Sequence, residues 1–241
     1  MYLTRAFLNP RRAGAIHLLG SPQRMHAAVM AGFPPLLAPN DRVLWRVDAE
    51  NSHKVSLYIV SPHRPDLTHL VEQAGWPHSD VPSWATKSYE PLLQRLKAGQ
   101  RYAFRLTANP TYVVARHGQR GLRRPHVTAE QQTAWLLEQS AKRGFEVLPA
   151  ATPHPLPTEQ AHNLRLVDRH RIRFTRKAGG TVTLNRVTFQ GLLEVTDEVA
   201  LRATLIYGIG RARAYGCGLL TLARPNESPT RPEERNQDHH L

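Results

Sequence analysis

The sequence predicts an α+β protein made of two similar halves, each with the element order βαββαβ. The first observation is the length of 241 residues, because domains of about a hundred residues can each bury a core. The second is a pair of segments, YLTRAFLNP at 2–10 and YAFRLTANP at 102–110, which share Tyr, Arg, Asn and Pro at the same spacing. The third is that strand-like and helix-like patterns follow both segments in the same order.

In the first half, a strand at 2–10 is followed by a helix, two strands, a second helix and a closing segment. Ser21 and Pro22 begin the first helix as N-cap and first helical residue, and Gly32 is placed to end it. The other four pieces are, in chain order, RVLWRVDA, KVSLYIVS, DLTHLVEQAG and SYEPLLQRL.

The second half repeats this plan after its strand at 102–110. Thr128 and Gln131 form a capping box at the start of the helix TAEQQTAWLLEQSAKRG. The predicted apolar stripe of this helix is Ala134, Leu137 and Ala141. Two strands, a helix that stops at Gly208 and a last strand follow as DRHRIRFTR, VTLNRVTFQGLLEV, DEVALRATLIY and GCGLLTLA.

Both halves therefore follow the split βαβ plan. The boundaries that we predict are a first domain at 1–97 and a second at 98–224. The remaining segment, 225–241, is polar and carries prolines, so we expect it to be disordered.

The charge of the chain points to a polyanionic partner. There are 32 Lys and Arg residues against 19 Asp and Glu residues, a formal net charge of +13. A membrane partner is disfavoured, because the longest apolar stretch, AAVMAGFPPLLA, is too short to span and contains Pro34 and Pro35. The opening MYLTRAFLNPRR does not have the charge order of a signal peptide, and a single cysteine, Cys217, fits a reducing cytoplasm.

The most informative basic segment is DRHRIRFTRKAGGTVTLNR. On a strand, alternate positions share a face, which places Arg169, Arg171 and Arg173 together and His170, Ile172 and Phe174 on the other side. Arg176 and Lys177 extend the charge to the turn. This pattern predicts an arginine-faced hairpin that lies along an RNA backbone. The alternative is a solvated sheet face, although few acids are present to pair with it.

A second basic segment, RHGQRGLRRPH at 116–126, is interpreted as a loop that contains Arg123 and Arg124. It either grips phosphate or simply connects two elements. Only 7% of residues are aromatic, and the central strands lack the glycine–aromatic signature with which RNA-recognition motifs stack unpaired bases. We therefore expect structured RNA, held by its phosphates and shape.

The segment YGIGRARAYGCGLL places four glycines around Arg211 and Arg213. These glycines are Gly208, Gly210, Gly216 and Gly218. The segment is not a dinucleotide fingerprint or a P-loop, because the glycine spacing is wrong and a helix leads in rather than out. Either the arginines hold phosphate here, or the glycines only provide a helix C-cap and a tight turn.

The segments YLTRAFLNP, FRLTANPT and above all GIGRARAYGCGLLTLA resemble the CasE family, the CRISPR repeat-RNA endoribonucleases of type I-E systems. The resemblance covers about residues 1–224 and implies two tandem ferredoxin-like (RRM-like) domains. It also implies cleavage of CRISPR precursor RNA at the base of the repeat stem-loop without a metal or cofactor. The products would be a 2′,3′-cyclic phosphate and a 5′-hydroxyl, and the protein would stay bound to the guide RNA with other subunits of the Cascade complex in the cytoplasm.

The resemblance also singles out His26 as catalytic, since the family's histidine lies on the first helix. By helical geometry His26 lies about 100° from Met25, at the edge of an apolar stripe that continues through Ala28 and Val29. A histidine there can exchange a proton with the 2′-hydroxyl or the leaving 5′-oxygen. Gln23 stands where some relatives have tyrosine, and it cannot exchange protons.

Other interpretations stay open. Ala212 and Arg213 replace a common Gly-Lys of the relatives, which keeps the charge but lowers flexibility. A zinc site from His117, His126, His239 or His240 lacks the usual ligand spacing. Cys217 has no adjacent base in the sequence, which indicates packing. A non-catalytic RNA-binding module of the same fold, acting in complex assembly, is the alternative function.

Overall fold

The computed structural model describes residues 1–34, 41–51, 53–116, 118–150, 162–175 and 179–225. The predicted disordered tail thus lies almost wholly outside the described residues, as do Arg176, Lys177 and His117.

The first half forms a four-stranded antiparallel sheet. Its strands are β1 (Tyr2–Leu8), β2 (Leu44–Asn51), β3 (Lys54–Ser61) and β4 (Trp84–Ser88). Its helices are α1 (Ala13–Leu19), α2 (Pro22–Met30), α3 (Thr68–Ala74) and α4 (Glu90–Arg95). The strand order is β2-β3-β1-β4, with the first and third strands at the centre.

The second half repeats this arrangement. Its strands are β5 (Arg101–Ala108), β6 (Thr111–Arg116), β7 (Gln119–Pro125), β8 (Phe145–Val147), β9 (Leu164–Thr175), β10 (Thr181–Val195) and β11 (Leu220–Ala223). Its helices are α5 (Ala129–Ala141) and α6 (Glu198–Tyr207), followed by a one-turn 3-10 helix at Arg213–Tyr215. The sheet order is β11-β5-β10-β8, and β9 pairs with β10 on the same side as β8.

Both sheets therefore place the fourth strand beside the first, then the third, then the second. This is the order of the split βαβ plan, so the predicted α+β fold of two tandem ferredoxin-like domains is confirmed. In the second half, the role of the second strand is shared between β8 and the long β9.

Several elements differ from the sequence prediction. The first helix does follow Ser21, but α1 precedes it, and the Ser21 side chain makes no capping hydrogen bond. The closing strand of the first half is WATKS rather than SYEPLLQRL, which contributes α4. Helix α6 ends at Gly208 as predicted, with φ of 77° at that residue.

Helix α5 has its predicted capping box, in which Thr128 accepts from the Gln131 backbone N–H. Its buried face, however, is Gln132, Trp135, Leu136 and Ser140. The predicted stripe was wrong, because the alanines that it relied on are exposed. The reason is the large indole of Trp135, which packs on Phe189 with ring centroids 6.4 Å apart and so sets the rotation of the helix.

Two hydrophobic cores hold the molecule together. One lies within the first half and includes Met25, Val29 and Trp45. The other joins both halves, because Leu44 and Leu93 of the first half belong to the same buried cluster as most of the second half's core. The predicted boundary at 97/98 falls between α4 and β5. Residues on both sides of it, such as Leu96 and Phe104, belong to this shared core.

Candidate active site and RNA interface

Helix α2 places His26 at the margin of the first core. Met25 and Val29 are buried, and His26 is half-buried between that core and the surface, as helical geometry predicted. Its Nδ1 is buried and has no hydrogen-bond partner among the described residues. Burial lowers the pKa of His26 from its ordinary value, because the charged imidazolium loses hydration. The ring is therefore mainly neutral near pH 7 and able to accept a proton.

The one-turn helix at 213–215 contacts α2, which brings the glycine-rich segment of the second half beside the histidine helix of the first. Arg213 is half-buried there, and its Nη2 donates to the Gly208 carbonyl at 3.3 Å. Its Nε is buried without a hydrogen-bond partner among the described residues. Burial first, and then repulsion from Arg42, Arg143 and Arg211, lowers the pKa of Arg213. A bound anion would relieve both effects.

The glycine-rich segment is folded tightly on itself. Gly208, Gly210, Gly216 and Gly218 have φ values between 74° and 93°, which side chains rarely adopt. The Ile209 N–H donates to the Gly218 carbonyl at 2.9 Å, so the two ends of the segment meet. The helix C-cap and tight turn are thus present, and the same turn places the one-turn helix that carries Arg213 against α2.

Ala212 has φ of 63° and is the only non-glycine residue with positive φ in the described part of the chain. An alanine side chain disfavours this left-handed backbone, so the turn is held here at some cost in strain.

The predicted arginine ladder lies on β9. Arg169, Arg171 and Arg173 are exposed at alternate positions, and they pair across the hairpin with Val187, Asn185 and Thr183. Arg169 is held by the start of α5, because it donates to Gln132 Oε1 at 2.9 Å and to the Val127 carbonyl at 2.7 Å. Within the described ranges, Arg171 and Arg173 have no carboxylate within ion-pair distance. The other two cations of the prediction, Arg176 and Lys177, lie outside the described residues.

The ladder borders a cleft of about 400 Å³ between the β9–β10 hairpin and the start of α5. Gln132, Arg169, Arg171 and Asn185 are among the polar side chains that line it. On the opposite face of the hairpin, the Phe174 ring packs edge-on against Tyr215, with centroids 4.8 Å apart. The hairpin therefore touches the one-turn helix that lies beside α2, while the ladder and its cleft lie on the other face of the hairpin.

The segment at 116–126 was predicted as a loop, and this was wrong: it belongs to the β6–β7 hairpin. Its charged residues do not have the apolar pattern of a strand, but Leu122 and Arg123 pair with Val114 and Val113, which do. Arg123 and Arg124 are exposed on β7, and Arg123 Nη1 donates to Thr111 Oγ1 at 3.2 Å.

Arg42 and Arg143 could not be predicted from the sequence, because only the fold brings them near Arg213. Cys217 is buried, and burial raises its pKa to about 12, which makes it a poor nucleophile. His126 packs against Tyr112, with ring centroids 4.9 Å apart. Among the described residues, no group of three or more potential metal ligands occurs, and no helix is long and apolar enough to cross a membrane.

The fold and the site together define a class: a double ferredoxin-like protein in which a cationic hairpin and a cationic glycine-rich turn lie beside a half-buried histidine. A family model described as CRISPR associated protein matches residues 1–224. The chain therefore belongs to this family of CRISPR-associated proteins.

Two characterised relatives match most of the chain. The CRISPR-associated endoribonuclease Cse3 of Thermus thermophilus is 30% identical over 225 residues, covering 92% of this chain and 100% of that protein. The Cascade subunit CasE of Escherichia coli K12 is 27% identical over 206 residues, covering 74% of this chain and 94% of that protein. A solved structure of Thermus thermophilus Cse3, bound to an RNA that represents a pre-cleavage complex, superposes with a TM-score of 0.73 at 28% identity. That alignment covers 92% of this chain and 98% of the other.

Proposed function

We propose that this chain is an endoribonuclease that cleaves CRISPR precursor RNA at the base of the repeat stem-loop and stays bound to the mature guide RNA. Family membership and the activity in the name of the Thermus relative support the reaction class. The observation that carries the proposal is the contact between α2, which bears His26, and the turn that bears Arg213.

In the proposed mechanism the nucleophile is the RNA's own 2′-hydroxyl. Its oxygen forms a bond to the adjacent phosphorus, the bond from phosphorus to the 5′-oxygen breaks, and the products are a 2′,3′-cyclic phosphate and a 5′-hydroxyl. His26, neutral at physiological pH, accepts the 2′-hydroxyl proton. Arg213, with Arg211 exposed beside it, stabilises the charge that grows on the phosphate. A metal or cofactor is not needed for these steps.

The proton acceptor is assigned, but the group that protonates the 5′-oxygen is not. Gln23 occupies the position where some relatives carry tyrosine, and an amide cannot donate a proton in this way. The proton for the 5′-oxygen therefore comes from His26 itself, once it is protonated, or from a water molecule.

The stem-loop would be held by the exposed arginines. Arg171 and Arg173 on β9, with Arg123 and Arg124 on β7, offer guanidiniums for bidentate contacts to phosphate. Arg169 already donates hydrogen bonds to Gln132 and Val127. Its role in RNA binding is therefore to fix the hairpin as much as to contact the RNA backbone.

The partners that we propose rest on the relatives, and the compartment rests on cysteine usage. The Escherichia coli relative is named a Cascade subunit, so we propose that this chain also acts with other Cascade subunits. A single buried cysteine suits the reducing cytoplasm that we propose as its compartment. The alternative is a non-catalytic module of the same fold that only binds the RNA in the complex, and Gln23 is the residue that favours it.

The test is cleavage of the host's repeat RNA by purified protein in chelator. His26→Ala is expected to lose about a hundredfold or more of the cleavage rate while binding the hairpin nearly as well as wild type. An RNA with one 2′-deoxy nucleotide just before the cut is expected not to be cleaved, because the nucleophile is absent. Cleavage of that RNA, or a requirement for a divalent ion, contradicts the mechanism. Full activity in His26→Ala moves the catalytic role elsewhere, and no cleavage by wild type favours the alternative.

A further inference from the structure

A buried ion pair lies where the two sheets meet. Arg46 on β2 is 2% exposed, and its Nε and Nη2 donate to the two carboxylate oxygens of Asp48, each at 2.8 Å. Arg105 Nε on β5 lies 3.2 Å from the same carboxylate. Buried ion pairs are often no more stabilising than apolar residues of the same size, so stability alone does not account for this one.

The guanidinium of Arg46 also lies over the Tyr58 ring of β3, 5.3 Å from its centroid, but its remaining hydrogen bonds cross to the second half. Its Nη1 donates to the Arg105 carbonyl at 2.8 Å and to the Leu219 carbonyl at 3.1 Å. Leu219 follows the last glycine of the glycine-rich segment. One planar guanidinium thus joins Asp48 of the first half to two backbone positions of the second, which a lysine ammonium cannot do with the same geometry.

The two residues before Arg46 hold the same segment at two other points. A Cβ on Gly208 would lie 3.0 Å from Leu44, and a Cβ on Gly216 would lie 2.6 Å from Trp45, so both glycines are packed directly on β2. Consecutive residues of β2 therefore contact the beginning, the middle and the end of the glycine-rich segment.

The other side of this strand reaches the histidine helix. Trp45 belongs to the buried cluster that includes Met25 and Val29, the residues of α2 on either side of His26. Strand β2 thus contacts the turn of the second half and shares a buried cluster with the histidine helix of the first.

We propose that Arg46, oriented by Asp48, is a positioning residue that fixes the glycine-rich turn on β2 and thereby holds Arg213 beside the helix of His26. The catalytic consequence of this role rests on the proposed function. The structural part of the proposal, a fixed distance between the turn and the helix, does not depend on the proposed function.

The first test replaces the pair as Arg46→Met with Asp48→Leu in Arg105→Gln protein, because Arg105 would otherwise lose its carboxylate partner, and Arg105→Gln alone is the reference. We expect the single-turnover cleavage rate to fall by about tenfold or more while the Kd for uncleavable 2′-deoxy hairpin RNA changes by less than about threefold. Arg46→Lys keeps the charge but removes the planar fork, so it should be impaired in the same direction. The control is Arg101→Gln with Glu194→Gln, an ion pair at the far end of β5 and β10, for which neither quantity should change.

The second test measures geometry without chemistry. Ala27 on α2 and Ala214 on the one-turn helix are both exposed, and a spin label on a cysteine at each position reports their separation in Cys217→Ala protein. We expect a narrow distance distribution with Arg46 and Asp48 in place and a broad or shifted one in the double variant.

The outcomes separate the two proposals. Unchanged distances with unchanged cleavage overturn the positioning role, and so does a parallel loss of melting temperature, binding and cleavage, which indicates a merely structural pair. The distance distribution can broaden in the Arg46 and Asp48 variant while His26→Ala still cleaves. That result supports the positioning of the turn and refutes only the role of His26.

Discussion

The imidazole of His26 is matched to proton transfer by its place at the edge of a core. Burial makes the charged form unfavourable, so its pKa lies below the ordinary value of about 6.5 in the free protein. A bound phosphodiester has the opposite effect, because a nearby negative charge favours the imidazolium. The environment of this one residue therefore predicts two different pH dependences.

If neutral His26 is the base, kcat/KM should rise with pH along a limb whose midpoint lies below about 6.5 and then become flat. The limb of kcat, which reports the complex with RNA, should lie at higher pH than the limb of kcat/KM. Single-turnover rates from pH 5 to 8 at subsaturating and saturating protein measure both. Identical limbs in His26→Ala, scaled only in rate, would assign the titration to another group.

At this scale the sequence predicted the position of His26 on its helix but not the residues that surround it. Helical geometry placed His26 at the edge of the stripe of Met25 and Val29, and the structure agrees. The approach of Arg213 could not be predicted, because it depends on how a turn from the second half packs on α2. The same is true of Arg46, whose partners are one neighbour on its own strand and two carbonyls more than fifty residues away.

The β9–β10 hairpin is the element whose function depends most on charge. Arg171 and Arg173 are exposed without an ion-pair partner in the described ranges, whereas Arg169 already bonds Gln132. Replacing Arg169 would remove the hydrogen-bond donor of Gln132. Arg171 and Arg173 are therefore the arginines whose replacement tests RNA binding without disturbing α5.

Arg171→Ala with Arg173→Ala should weaken stem-loop binding and flatten its dependence on salt by about 0.7 to 0.9 for each phosphate that the protein no longer neutralises. Binding to a labelled hairpin from low to high salt measures the slope. The matched control is Arg95→Ala with Arg101→Ala, which removes the same charge from the surface of α4 and β5 and should leave the slope nearly unchanged. Equal slopes for both variants would mean that the ladder is a solvated sheet face.

Elements were predictable where a local pattern was strong. The alternation in β9 and the capping box of α5 are decided by neighbours in sequence, and both were found. The segment 116–126 was predicted as a loop because its strand, QRGLRRP, is charged and, among the described residues, adds no side chain to either buried core. The rotation of α5 was misjudged because it depends on Phe189, whose contact with Trp135 only the tertiary fold creates.

At the scale of the whole molecule, the two halves are joined more closely than their repeated plan suggests. Leu44, Val60 and Leu93 of the first half lie in the core of the second, and Arg46 bonds across the same interface. Separating the halves would expose these side chains and leave a buried ion pair half-solvated. Family resemblance predicted the duplicated fold, but this interface is a product of packing and has no local signature.

We therefore expect residues 1–224 to unfold as one cooperative unit, although the predicted domains are 1–97 and 98–224. Three of the four tryptophans, Trp45, Trp76 and Trp84, lie in the first half, so in Trp135→Phe protein the indole fluorescence reports that half alone. Its urea transition should coincide with the transition by circular dichroism, which reports both halves. Leu93→Ala, which opens a cavity in the shared core, should shift both curves together by about 2 to 5 kcal/mol. If the two curves separate in either protein, each half unfolds on its own and the shared core does not couple them.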